Sequence, residues 1–83
     1  MNSAFIEVDI HGLNCKQAKV SIDRQLKIAN GSVYYIRVIH GYHGGTELKN
    51  MVRDEYSYGR HPKVIRIKSG GNPGITDLVL REL

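Results

Sequence analysis

Apolar and polar residues alternate along this chain at two periods, and the switches between them mark its elements. Phe5-Ile6-Glu7-Val8-Asp9-Ile10 alternates with period two and predicts a strand. Ile6, Val8 and Ile10 take one face; Phe5, Glu7, Asp9 and then His11 take the other. Gly12 permits the turn out of the strand. From Asn14 to Asn30 the period becomes helical, with Ala18, Ile22, Leu26 and Ala29 as the buried stripe. Lys16, Lys19, Asp23, Arg24 and Lys27 face water. Asn14 with Gln17 three residues on predicts a capping box, and Asn30-Gly31 predicts a left-handed stop. Tyr34 to Ile39 is the second strand, with Ile36 and Val38 inward and Tyr35 and Arg37 outward. A glycine-rich turn follows, His40-Gly41-Tyr42-His43-Gly44-Gly45, and then a helix from about Thr46 to Tyr56. Leu48, Met51, Val52 and Tyr56 are its inward residues. Residues 57–62 form a loop broken by Gly59 and Pro62. Val64 to Lys68 predicts a third strand with Ile65 and Ile67 inward. Ser69 to Gly74 is a turn, and Ile75 to about Arg81 is the last strand, with Leu78 and Leu80 inward. Met1 to Ala4 is expected to fray.

The order β-α-β-α-β-β predicts an α/β fold of the α+β two-layer kind, with a four-stranded mixed sheet. Helical crossovers make the first three strands parallel. The last connection is too short for a crossover, so the last strand is antiparallel. Right-handed crossovers put both helices on one face. The other face is expected in water, because Glu7, Asp9, Arg37, Arg66, Lys68, Asp77 and Arg81 all point that way.

The chain has 83 residues, which predicts a single domain over 1–83. Its apolar fraction of 41% and charged fraction of 24% exclude a disordered polymer. No run approaches the ~18 apolar residues of a transmembrane helix, and no secretory leader pattern is seen, so a cytoplasmic location is expected. The lone cysteine, Cys15, excludes an internal disulfide and a cysteine-rich zinc site. Its place in a first helical turn reads as packing, not as a nucleophile. The net charge of +4 adds a mild bias toward polyanions.

In open α/β sheets, ligands collect at the carboxyl ends of the parallel strands. That rule brings Asp9, His11, His40, His43 and both glycine turns to one edge. Asp9 and His11 share a strand face, where a carboxylate can orient an imidazole and raise its pKa. The amides of Gly12, Gly41, Gly44, Gly45, Gly70 and Gly71 could meet a phosphate beside a helix N-terminus. The competing reading is structural: strand-end histidines that fix turns, and glycines that permit tight geometry. Lys49 is a further phosphate candidate. Arg37, Arg66, Lys68 and Tyr35 could meet backbone and bases on the open face, or could simply be solvated.

Three stretches resemble one family. Val8-Asp9-Ile10-His11-Gly12-Leu13 is similar to the Leu-Asp-Leu-His-Gly motif of the Smr (small MutS-related) domain. His40-Gly41 with its following glycines resembles that family's His-Gly-x-Gly motif. Gly70-Gly71-Asn72-Pro73-Gly74-Ile75-Thr76 resembles its third, a glycine turn before the final strand. The chain departs from the family at His43, where a glycine is usual, and its turn is one residue longer before Leu48. The resemblance implies a fold like the C-terminal domain of translation initiation factor three. It also implies nuclease activity or nucleic-acid binding: family members nick DNA or cleave mRNA, some at stalled and collided ribosomes. Asp9, His11 and His40 match the motif residues implicated in that activity.

The function expected is therefore endonucleolytic cleavage of RNA or nicking of DNA by His/Asp acid–base chemistry. The alternative is a non-catalytic nucleic-acid- or ribosome-binding module. Two histidines with ordinary pKa values near 6.5 can share the roles of base and acid. RNA cleavage by this route needs no cofactor, whereas DNA cleavage would call for an activated water and a divalent ion. Three histidines could also hold zinc, a weaker reading without cysteine ligands.

Overall fold

A computed structural model of the chain describes residues 5–41 and 46–82. Its elements are β1 (Phe5–Asp9), α1 (Cys15–Ile28), β2 (Tyr35–Ile39), α2 (Glu47–Tyr56), β3 (Arg66–Ser69) and β4 (Ile75–Val79). The capping box forms as the sequence predicts. Asn14 Oδ1 accepts from the Gln17 amide at 2.8 Å, and Gln17 Oε1 accepts from the Asn14 amide at 3.2 Å. Two otherwise unpaired amides are thereby satisfied at the start of α1.

The other end of α1 differs from expectation. Neither Asn30 nor Gly31 turns left-handed, and the helix stops at Ala29 in extended backbone. A distant residue supplies the cap. Lys63 Nζ donates to the carbonyls of Leu26, Lys27 and Ala29 at 2.6, 3.5 and 3.4 Å. An ammonium here meets both the open carbonyls and the negative end of the macrodipole. Asn30 turns its carboxamide to the Ser32 amide instead, at 2.8 Å. Lys63→Met is expected to cost about 0.3–1 kcal/mol. Thermal melts at low and high salt check this, because the loss should shrink as salt screens the charge.

The sheet order is β1-β2-β4-β3. β1 pairs with β2 in parallel, and β4 runs antiparallel to both neighbours. The first three strands do point the same way, but β4 is inserted between β2 and β3. Both helices lie on one face, over a core of Ile10, Ala18, Ile22, Leu26, Ile36, Val38, Val52, Tyr56, Val64 and Leu78. Tyr56 is its largest fully buried side chain. Its hydroxyl donates to Asp23 Oδ1 at 2.5 Å and approaches the Lys19 carbonyl at 3.4 Å. Burial pushes the Asp23 carboxyl up, but the hydrogen bonds from Tyr56 and Lys19 more than offset it and leave the group below its ordinary value.

Two expectations about facing fail, each for a local reason. Ile65 is 40% exposed and Val64 is 4% exposed, the reverse of the alternation expected. The β3 ladder begins at Arg66, and the chain before it leaves a turn closed by Val64 N to His61 O at 3.1 Å. The pleat does not reach back to these residues. Asp77 does sit on the outer face, yet it is 2% exposed and not solvated. The register sets it opposite Arg37, whose guanidinium covers it.

Candidate functional site

The carboxyl ends of β1 and β2 lie side by side. The Ile10 amide continues their pairing by donating to the Ile39 carbonyl at 2.9 Å. The chain then turns through Gly12, at φ 82°, and the Leu13 amide returns to the Ile10 carbonyl at 3.1 Å. This turn folds His11 back onto Asp9. Asp9 Oδ1 accepts from the His11 amide at 3.1 Å and lies 2.5 Å from His11 Nδ1. The imidazole lowers the Asp9 pKa below 3.8, chiefly through this side-chain hydrogen bond. An ionised carboxylate can only accept, so Nδ1 carries the proton and Nε2 is left for the solution side. The His11 side chain is 70% exposed and that of Asp9 50%.

His11→Ala should return the Asp9 pKa toward its ordinary value. Carbon-detected NMR titration of the Asp9 carboxyl, in both proteins, reads this directly.

His40 has different surroundings. It is buried and both ring nitrogens have partners. Nδ1 lies 2.8 Å from the Gly41 carbonyl, which can only accept, so Nδ1 carries the hydrogen. Nε2 lies 2.9 Å from the Thr76 hydroxyl, which can serve as donor or acceptor to it. The amides of His40 and Gly41 both donate to the Gly74 carbonyl, at 2.9 and 3.1 Å. The end of β2 is thus stitched to the turn that precedes β4. Gly41 is left-handed at φ 76°, and a β-carbon there would sit 3.6 Å from His11 Cβ. Its backbone is the piece of chain between the two histidines.

The glycines divide by what their amides do. Gly41 is already bonded to Gly74, and the Gly70 amide donates to Ile75 O at 3.2 Å. Gly70 is required by crowding, since a β-carbon there would collide with the Ile75 side chain. Gly12 and Gly71 are exposed and left-handed. His43, Gly44 and Gly45 lie outside the described residues.

The basic candidates divide too. Arg37 makes a two-point contact with Asp77, at 3.0 and 3.2 Å, which holds the guanidinium pKa above its ordinary value. Arg66 pairs with Glu82. Lys49 and Lys68 have no ion-pair partner among the described residues. The outer face also holds Phe5 stacked on Tyr35, with ring centroids 4.9 Å apart. The Arg37 guanidinium lies 5.3 and 5.4 Å from these rings, and Lys68 Nζ is 5.7 Å from Tyr35.

No protein-family model matches the sequence, and no curated protein sequence matches it. The fold has a counterpart. It is similar to the crystal structure of the Smr domain of Thermus thermophilus MutS2, with a TM-score of 0.78 and 26% sequence identity. The match covers 93% of this chain and 99% of that one. The fold of this chain is thus similar to that of an Smr domain.

The fold brings Asp9 and His11 into contact and gives His40 a partner, Thr76, that the sequence reading missed. Thr76 was visible in principle, since it shares the inward alternation with Leu78 and follows the second glycine turn directly. Cys15 is half-buried, its Sγ 3.8 Å from the Glu47 carbonyl, as a packing residue would be. Among the described residues no three His, Cys, Asp or Glu side chains are grouped to hold a metal ion. Among the described residues no helix is long and apolar enough to cross a membrane.

Proposed function

We propose that this Smr-like domain is a nucleic-acid endonuclease in which His11 transfers the proton. The observation that carries this reading is the 2.5 Å contact between Asp9 and His11 Nδ1 at the sheet edge. It fixes the tautomer, holds the ring and directs Nε2 outward. On RNA, neutral His11 Nε2 takes the proton of a 2′-hydroxyl. The resulting oxygen attacks the adjacent phosphorus to form a 2′,3′-cyclic phosphate, and the P–O5′ bond breaks, the leaving 5′ oxygen taking its proton from solvent water. Asp9 stabilises the imidazolium that forms. His40 acts as a positioning residue: with both nitrogens engaged, it ties Gly41, and so the surface under His11, to β4. On DNA the same edge would need an activated water and a divalent ion. The similarity to the Smr domain of MutS2 supports a nucleic-acid substrate. The basic net charge of +4 supports it as well.

A cleavage assay on a structured RNA and on a duplex DNA, with and without EDTA, tests the proposal. RNA cleavage that survives EDTA is expected. No cutting of either substrate, with binding that weakens steeply as salt rises, would replace the nuclease by a binding module.

A further inference from the structure

Between α2 and the β3–β4 hairpin is a hollow of about 300 Å³. Lys49 and Arg53 form its helical wall, and Ile67 and Ile75 lie on the sheet side, with Asn72 and Thr76 beside them. Among the described residues no carboxylate lines it. Lys49 and Arg53 are four residues apart on α2, so they sit one above the other, and like charges at that spacing repel. Neither has an ion-pair partner among the described residues. Arg53 spends one nitrogen on Asn50 Oδ1, at 2.6 Å, and keeps its other donors. An anion between the two would relieve the repulsion. Asn72 is held in place because its Oδ1 accepts from the Gly74 amide at 2.8 Å, which leaves its Nδ2 hydrogens to donate. Thr76 belongs to two places at once: it lines the hollow and its hydroxyl is bonded to His40.

We infer that this hollow seats one nucleotide of the substrate strand, phosphate on Lys49 and Arg53, base against Ile67 and Ile75. The volume is at the small end of the roughly 300–1,000 Å³ of ligand sites and exceeds what a bare phosphate fills. A second hollow, of about 410 Å³ on the outer sheet face, is a poorer candidate. Its Arg66 is paired with Glu82, and its Arg81 guanidinium lies 5.4 Å from the Tyr34 ring. The inference takes its ligand class from the nucleic-acid reading, and adds to it a seat one side chain away from His40.

Amide-resolved NMR titration tests it, with three probes: 5′-AMP, inorganic phosphate, and a short single-stranded RNA made uncleavable by 2′-O-methylation. AMP and the RNA should both move the amides of Lys49, Arg53, Asn72 and Ile75, and phosphate should move them far less. The Lys49→Ala, Arg53→Ala variant should bind AMP at least ~10-fold more weakly, the scale of one charge-assisted hydrogen bond. Shifts confined to other residues, equal shifts from phosphate, or unchanged affinity in the variant would overturn the inference. Binding of AMP without binding of the RNA here would overturn the assignment to a strand. The two proposals fail separately. RNA cleavage with no response at these amides removes the seat and leaves the nuclease; strand binding here without cleavage does the reverse.

Discussion

Replacing His11 with alanine should lower RNA cleavage by roughly 10²- to 10⁴-fold, the range of one general acid–base group. The loss should fall on kcat, because His11 transfers a proton in the transition state and contributes little to ground-state binding. His40 should behave differently. His40→Asn keeps a side-chain donor of similar reach for the Gly41 carbonyl, so it should retain more activity than His40→Ala. The double variant His11→Ala, His40→Ala should be inactive and folded, as circular dichroism would confirm. Undiminished cleavage by that variant would remove both histidines from the mechanism.

The second large effect is on stability. Tyr56 is fully buried in the layer between helices and sheet. Tyr56→Ala should cost about 3–5 kcal/mol, the transfer term of an aromatic ring plus the cavity it leaves. Against the roughly 5–15 kcal/mol of a typical domain, that brings the fold near its limit. Each kcal/mol is worth about 4–8 °C in a domain of this size, so the melting temperature should fall by tens of degrees. Tyr56→Phe keeps the ring and removes only the hydroxyl bonded to Asp23. It should cost about 1 kcal/mol, near the low end for a lost partner, because Asp23 can still reach water. The two variants also separate in alkali. Burial, and then the Asp23 carboxylate, push the Tyr56 phenol above its ordinary value of 10. The folded state therefore holds a proton that the unfolded chain releases. That stabilisation is complete below pH 10 and is lost as pH rises above it. Denaturant melts from pH 9 to 11 should show a steeper decline in the wild type than in Tyr56→Phe.

What could be read from the sequence was whatever is decided within a few residues. The Asn14–Gln17 box, the Ala18-Ile22-Leu26 stripe and the shared face of Asp9 and His11 are of this kind. What escaped depends on partners far along the chain. A six-residue connection predicts that β4 runs antiparallel, but it leaves open whether β4 lies at an edge or between β2 and β3. Until that pairing is known, nothing sets Asp77 opposite Arg37 or Thr76 beside His40. The end of α1 escaped for the same reason, since Lys63 caps it from across the fold. At the site, the sequence brought Asp9, His11 and His40 to one edge and left open which histidine serves as base and which as acid. Burial and the Thr76 hydroxyl are what make them different.

The position of β4 also governs when the protein can come into being during synthesis. The strand that joins the two halves of the sheet is the last of its strands to leave the ribosome. Until Ile75–Val79 emerges, β2 and β3 each present an unpaired edge. The Gly74 carbonyl and the Thr76 hydroxyl, which hold the His40–Gly41 turn, arrive with the same segment. A nascent chain therefore carries Asp9, His11 and His40 without the frame that arranges them until this strand has emerged, and its docking completes both fold and site.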